Sequence, residues 1–142
     1  MIRQKTNYVV VHCSATQAKS DIGVPEITRW HKERGWETIG YHFVIRRNGV
    51  LEKGRAIEAV GAHAPPFNQV SVGICLVGGI DVHGLPENNF TDEQFSALLE
   101  LLQSMKVRYP AAEIIGHRDV PGTHKDCPCF DVRQWCNENG VT

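Results

Sequence analysis

The chain has 142 residues, of which 42% are hydrophobic and 22% are charged, and its formal net charge is -1. A chain of this length fits one domain, and its near-neutral charge gives neither a basic field for nucleic acid nor an acidic tail. No apolar run approaches the ~20 residues of a membrane span. Because no apolar leader precedes the first predicted strand, we expect synthesis and folding in a cytoplasm. Five cysteines, an odd number, indicate free or metal-bound thiols rather than a disulfide framework.

The N-terminal half predicts two strands, a helix and a hairpin. Residues 8–12 are apolar and mostly β-branched without alternation, which is typical of a strand buried on both faces. Residues 24–32 predict a helix, with a proline in its first turn and a glycine after its end. Residues 39–45 predict a second strand, and Asn48 and Gly49 predict a tight hairpin turn behind it.

The C-terminal half predicts two more strands and two more helices. Residues 70–77 form another apolar run. Thr91 begins a capping-box pattern ahead of a long helix that must end before Pro110. Residues 113–117 predict a short strand, and Asp131 can cap a last helix. This order of elements predicts a single α/β domain with a mixed central β-sheet flanked by helices.

Two histidines close predicted strands, and a lysine and a cysteine follow on a proline-containing loop. His12 ends the first strand and His117 the last, and ligands of open α/β sheets bind at the carboxyl ends of strands. Lys125 and Cys127 are two positions apart, so in an extended segment their side chains point the same way. Two imidazoles, a thiolate and an open fourth position would make a catalytic zinc site. A hydrogen-bonded core histidine and a solvated lysine remain open alternatives.

Seven blocks of the sequence carry a resemblance to a known family. They are residues 11–16, 30–36, 40–43, 61–64, 71–79, 116–119 and 125–128. In this order they resemble the zinc-dependent N-acetylmuramoyl-L-alanine amidases of type 2. The resemblance is strongest to the small phage lysozymes that are amidases, and peptidoglycan recognition proteins share the fold. The loop between His117 and Lys125 is longer here, and Val70 stands where an asparagine is common.

The resemblance implies a set of site residues: the zinc ligands His12, His117 and Cys127, the catalytic pair Tyr41 and Lys125, and the substrate-binding His63. The cofactor would be one Zn2+ ion per chain. The implied reaction is hydrolysis of the amide bond between the lactyl group of N-acetylmuramic acid and L-alanine in peptidoglycan. No obvious carboxylate is available for proton transfer, so the division of roles between Tyr41 and Lys125 stays open.

The resemblance also predicts where such a protein works. We expect a phage or prophage endolysin that acts in host lysis as a monomer. Residues 1–142 would form a single catalytic domain with no separate wall-binding domain and no membrane attachment. The folded enzyme would wait in the host cytoplasm until another protein permeabilises the membrane, and it would then cut peptidoglycan outside that membrane.

Three other functions compete with this interpretation. A cysteine hydrolase built on Cys13 is disfavoured, because its neighbour His12 points to the opposite side of the strand and cannot serve as the base. A protein that binds muropeptide without cutting it is the second alternative, although such relatives typically lack the cysteine ligand that Cys127 provides. The third is a regulator that binds and inhibits a phage RNA polymerase, for which the sequence gives no positive support.

Overall fold

The computed structural model describes residues 1–123 and 126–141. In this part of the chain the strands are β1 (Tyr8–Cys13), β2 (Thr16–Gln17), β3 (Phe43–Ile45), β4 (Leu51–Lys53), β5 (Ser71–Leu76), β6 (Gly79–Ile80) and β7 (Glu113–Gly116). The α-helices are α1 (Val24–Glu33), α2 (Asp92–Arg108) and α3 (Val132–Glu138). No helix in these ranges combines the length and the apolar character needed to cross a membrane.

The central sheet has five strands in the order β4-β3-β5-β1-β7. Strand β1 pairs in parallel with both β5 and β7, and β3 pairs in parallel with β5. The hairpin predicted at Asn48 and Gly49 joins β3 to β4, which is antiparallel. Strands β2 and β6 form a small separate parallel sheet. The predicted mixed sheet flanked by helices is therefore confirmed.

The two faces of the sheet pack against different partners. One face, here called the apolar face, carries Val9, Val11 and Ile74, which are fully buried with side chains of α2 and α3. The opposite face, here called the cleft face, carries Val44 and the register partners Cys75 and His12, with α1 packed over part of it. Strand β1 is buried on both sides, as its unbroken apolar run predicted.

The predicted helix ends are confirmed by their hydrogen bonds. At the start of α2 the Thr91 hydroxyl accepts from the backbone N–H of Gln94, and the Gln94 side chain accepts from the Thr91 N–H. Asp131 caps α3 by accepting from the Gln134 N–H at 3.0 Å. Each cap satisfies a backbone donor that the first helical turn cannot satisfy itself.

The strand predicted over residues 39–45 was wrong in its length, because β3 contains only Phe43–Ile45. The His42 N–H still donates to the Gly73 carbonyl of β5, but the groups before it bond to loop segments. The Tyr41 carbonyl accepts from the Arg55 N–H, and the Gly40 carbonyl accepts from the Ala62 N–H. The chain before His42 therefore belongs to the cleft wall rather than to the sheet ladder.

Candidate metal centre

Both predicted histidine ligands lie at the carboxyl edge of the sheet. His12 is the penultimate residue of β1, and His117 follows directly after β7, the parallel neighbour of β1. Their ring centroids are 4.4 Å apart. At the end of β7 the Gly116 N–H donates to Asp119 Oδ2 at 2.9 Å, which fixes the turn that carries His117. Adjacent parallel strands thus bring two residues from distant parts of the chain into contact.

Cys127 reaches the same edge from the loop before α3. The Cys13 N–H donates to Cys127 Sγ at 3.0 Å, and the Arg118 N–H donates to the Cys127 carbonyl at 2.8 Å. These bonds attach the loop to the ends of both histidine-bearing strands. The neighbouring Cys13 side chain and burial raise the pKa of the Cys127 thiol.

The three side chains fit a single metal ion. One ligand atom from each of His12, His117 and Cys127 lies within 4.8 Å of the other two, and no other such cluster occurs among the described residues. Zinc bonds of about 2.0–2.3 Å bring tetrahedral ligand atoms to roughly 3.3–3.8 Å from one another, so small side-chain rotations suffice. Two imidazoles and a thiolate suit zinc better than calcium or magnesium, which prefer oxygen ligands.

His63 contacts the cluster of candidate ligands (His12, His117 and Cys127) through His12. Its Nδ1 lies 2.8 Å from His12 Nε2, and its Nε2 lies 3.2 Å from the Ser71 hydroxyl. Burial first, and then the neighbouring His42, lower the pKa of His63 to about 3. His63 therefore stays neutral at physiological pH and uses both ring nitrogens within the protein.

Tyr41 lies two residues before β3 and lines the cleft beside the candidate ligands. Its ring centroid lies 5.1 Å from that of His12 and 5.5 Å from that of His31. Burial, followed by the nearby cysteines, raises the pKa of Tyr41 well above its usual value of 10.0. Its hydroxyl is therefore protonated at neutral pH and can donate a hydrogen bond or a proton.

A cleft of about 850 Å³ opens over these residues. The cleft is lined by the three candidate ligands, Tyr41 and His63. Trp30, Trp36 and Arg34, from α1 and the turn that follows it, also line the cleft. Gly122 and Thr123, from the long loop between His117 and Lys125, also line it. The volume lies in the range of about 300–1,000 Å³ that is usual for ligand sites.

Two further buried histidines support the cleft walls. His31 Nδ1 accepts from the Gly40 N–H at 2.9 Å. His42 Nδ1 accepts from the Gly73 N–H at 3.0 Å, and its Nε2–H donates to the Ala59 carbonyl at 2.8 Å. Burial is the main cause that lowers the pKa of each ring to about 4. Both rings are therefore neutral at physiological pH, and they join backbone segments of the cleft walls by hydrogen bonds.

The structure brings together five of the six site residues that the sequence singled out, namely His12, His117, Cys127, Tyr41 and His63. The sixth, Lys125, lies outside the described residues. Sequence reasoning missed Ser71, whose hydroxyl lies behind His63. A serine that opens an apolar strand gives no signal of such a contact, because its partner comes from a separate loop.

Comparisons with known proteins show the family and the fold of the chain. The family profile Amidase_2, described as N-acetylmuramoyl-L-alanine amidase, matches residues 3–130. The chain is 53% identical over 137 residues to the endolysin of Klebsiella phage KP32, covering 96% of this chain and 89% of that protein. Among solved structures it resembles the N-acetylmuramoyl-L-alanine amidase LysC from Clostridium intestinale, with a TM-score of 0.81 and 29% identity over 97% of this chain and 87% of LysC. A Drosophila PGRP-LB mutant in complex with tracheal cytotoxin gives a TM-score of 0.77 and 28% identity, covering 96% and 83% of the two chains.

Proposed function

The chain belongs to the N-acetylmuramoyl-L-alanine amidase family, and on that premise we propose that it is a zinc enzyme with His12, His117 and Cys127 as ligands. It is an amidase of the phage endolysin type, and its substrate is peptidoglycan. The observation that carries the zinc proposal is the convergence of three ligand atoms within 4.8 Å at the carboxyl edge of the sheet. Two neutral imidazoles and one thiolate would leave the loaded site with a formal charge of about +1.

The bond to be cut joins the lactyl carbonyl of N-acetylmuramic acid to the nitrogen of L-alanine. Zinc, when bound, supplies Lewis-acid polarisation of the carbonyl and a lowered pKa of water. Water then adds to the carbonyl carbon, the carbon–nitrogen bond breaks, and the leaving amine takes a proton. The protein must therefore stabilise a developing oxyanion and deliver that proton.

Tyr41 and Lys125 are the residues that we assign to these two tasks. The partly buried, protonated Tyr41 hydroxyl can donate to the oxyanion or towards the leaving nitrogen. The family resemblance pairs Lys125 with Tyr41, and a lysine ammonium group can stabilise developing negative charge. One of the two residues stabilises the oxyanion and the other delivers the proton. The pH dependence of turnover in the single variants shows which residue performs which task.

The cleft is the proposed binding site for the muropeptide. Its aromatic walls, Trp30 and Trp36, suit sugar and peptide surfaces, and Arg34 provides a positive charge at the same wall. The complex of the PGRP-LB relative with tracheal cytotoxin supports a ligand of the muropeptide class for this fold. His63 lines the same cleft, and its predicted contact with the substrate stays a prediction.

Zinc content and wall cleavage, measured on the same preparation, test the proposal. We expect about one zinc per chain by elemental analysis, and release of peptides with free N-terminal L-alanine from purified peptidoglycan. A chelator should abolish both, and added zinc should restore both. Full cleavage by protein that contains no metal would overturn the zinc proposal and leave the amidase activity in place.

Cell lysis tests the proposed place of action. We propose that the folded enzyme stays in the host cytoplasm until the membrane is permeabilised. Expression alone should then leave cells intact, and expression followed by membrane disruption should lyse them rapidly. Spontaneous lysis through export would contradict this part of the proposal.

Two alternative functions from the sequence analysis can be tested with the same purified protein. A muropeptide-binding protein without activity would retain peptidoglycan but release no peptide from it. Inhibition of a phage RNA polymerase is a separate activity, and transcription assays with the purified protein test it directly. The expected monomeric state is checked by sedimentation of the same preparation.

A further inference from the structure

A chain of hydrogen bonds leads from the cluster into the protein core. The Ser71 hydroxyl donates to the Phe67 carbonyl at 2.7 Å. The same oxygen lies 3.2 Å from His63 Nε2, and His63 Nδ1 lies 2.8 Å from His12 Nε2. Ser71 is fully buried, and His63 and His12 are 7% and 1% exposed, so these bonds form away from bulk water.

The direction of each bond follows from the first one. Because Ser71 gives its only hydroxyl proton to a carbonyl, its oxygen must accept from His63, which therefore carries a proton on Nε2. A neutral imidazole has one protonated nitrogen, so His63 Nδ1 is an acceptor. His12 must then donate from Nε2. The protons of both imidazoles are thus fixed by one backbone carbonyl.

We propose that His63 is a positioning residue that holds His12 as its Nε2–H tautomer and so presents His12 Nδ1 to the metal. This inference rests on the proposed zinc site. A metal-ligating histidine commonly donates its other ring N–H to a protein acceptor, which fixes the ring orientation and increases ligand basicity. Here that acceptor is another imidazole, and its own orientation is set by Ser71.

The backbone around His63 is shaped to seat its ring. A Cβ atom at Gly73 of β5 would lie 2.5 Å from His63 Cγ, and one at Gly61 would lie 2.7 Å from His63 Cδ2. Real Cβ atoms do not approach this closely, so both positions need the absence of a side chain. The Asn68 side chain also accepts from the His63 N–H at 2.9 Å. A ring seated against two glycines, on a backbone held by Asn68, is suited to fixing a neighbour rather than to following a substrate.

The tautomers can be read without zinc. In the metal-free, nitrogen-15-labelled protein at neutral pH, long-range proton–nitrogen NMR spectra should show both His12 and His63 as Nε2–H tautomers. His63→Gln and Ser71→Ala variants assign the signals. A His63 ring protonated on Nδ1 would overturn the proposal, whatever the zinc affinity is.

Zinc affinity, measured by competition with a chelating dye, gives the second test. His63→Ala should weaken zinc binding by ~10–100-fold, the usual effect of removing a partner of a ligating histidine. Ser71→Ala should weaken it less, because it acts only through His63. His63→Gln should recover part of the loss, since its amide oxygen can accept from His12. The matched control is His31→Ala, which removes a buried imidazole of the same cleft that bonds to Gly40 instead.

The outcomes separate the two roles of His63. Loss of zinc affinity in His63→Ala and Ser71→Ala, with His31→Ala unchanged, supports the positioning role. A raised KM for peptidoglycan with unchanged zinc affinity in all variants would overturn it in favour of direct substrate contact. A wild-type protein that binds no zinc would overturn the proposed function, while the tautomers would still decide whether the hydrogen-bond chain exists.

Discussion

The apolar face of the sheet and its cleft face bury different kinds of side chain. The apolar face packs Val9, Val11 and Ile74 against α2 and α3, with side chains that need only to be covered. On the cleft side, His12, His42 and His63 are all at least nine-tenths buried, and each has a specific hydrogen-bond partner. Burying a polar ring costs free energy unless such a partner is present. The two faces therefore depend on different physical interactions.

The difference shows which part of the molecule is free to vary. The stability of the apolar face follows from buried area and packing, so similar side chains can replace one another. The cleft face depends on the position of single protons, so a conservative change there alters chemistry before it alters the fold. Substitutions on one face should therefore change stability, and substitutions on the other should change zinc binding or turnover.

The largest effect is expected from Cys127→Ser on the cleft side. A neutral hydroxyl is a far poorer zinc ligand than a thiolate, so metal content and wall cleavage should fall together to near background. The matched control is Cys129→Ser, two positions away, whose Sγ lies 3.3 Å from the Gly79 carbonyl. We expect the control to keep its zinc. Full zinc content in Cys127→Ser would remove this residue from the ligand set.

On the apolar face, Leu98→Ala should reduce stability without changing the site. Leu98 is fully buried in the cluster under α2. A cavity of this kind costs roughly 2–5 kcal/mol of unfolding free energy. Urea unfolding should show that loss, while the zinc affinity of the folded fraction stays at the wild-type value. A matching loss of zinc affinity would mean that the two faces are coupled.

Tyr41→Phe and Lys125→Ala should each reduce turnover by ~10²-fold or more, the usual scale for one acid–base or oxyanion group. Zinc content and unfolding free energy should stay close to wild type, because neither residue is a proposed ligand. Peptide release from purified peptidoglycan measures turnover, and elemental analysis measures zinc. Normal turnover would exclude the residue from the mechanism, and loss of zinc would give it a structural role.

Mild acid should weaken the cleft face selectively. The pKa of His31 and of His42 is lowered from 6.5 to about 4, chiefly by burial, with Arg55 adding to both shifts. Between pH 4 and 6.5 the unfolded chain therefore binds more protons than the folded chain. The contribution of the two neutral rings to the free energy of unfolding is complete above pH 6.5 and is lost as the pH falls towards 4. Each ring can contribute roughly 1–3 kcal/mol.

Urea unfolding of chelator-treated protein at about pH 7.5 and about pH 5 measures this loss. The loss should be smaller in His42→Gln, which removes one of the titrating groups. The control is Arg133→Ala, whose exposed bond to Glu113 lies away from these histidines. It should show the same pH dependence as wild type. An identical pH dependence in His42→Gln would contradict the assignment.

The apolar face and the helix caps were predictable because local signals specify them. The unbroken run of β1 and the Thr91 capping box each report a structure that forms within a few residues. Strand β3 was predicted too long, since the backbone before it bonds to the segment around Arg55 and Ala62. The small sheet of β2 and β6 was missed, because strands of two residues have no periodicity.

The site was predictable only in part. Strand ends placed His12 and His117 at one edge, and the loop that follows offered the Cys127 thiolate, but the catalytic role of Tyr41 needed the family resemblance. The contact between His12 and His63 joins residues 51 positions apart. It depends on how the loop before β5 folds, and no pattern of residue types encodes that path. Ser71 and Gly73 matter because they contact the His63 ring, and the sequence does not show that the ring lies beside them.

The position of β1 between β5 and β7 has a consequence for the newly made chain. The bond from Cys13 to Cys127 joins residues 114 positions apart, so the pairing of β1 with β7 and the cluster of three candidate ligands both wait for the C-terminal part of the chain. Contacts of such long sequence separation form late during translation. A chain interrupted on the ribosome before Cys127 would hold one or two of the proposed metal ligands and no complete site.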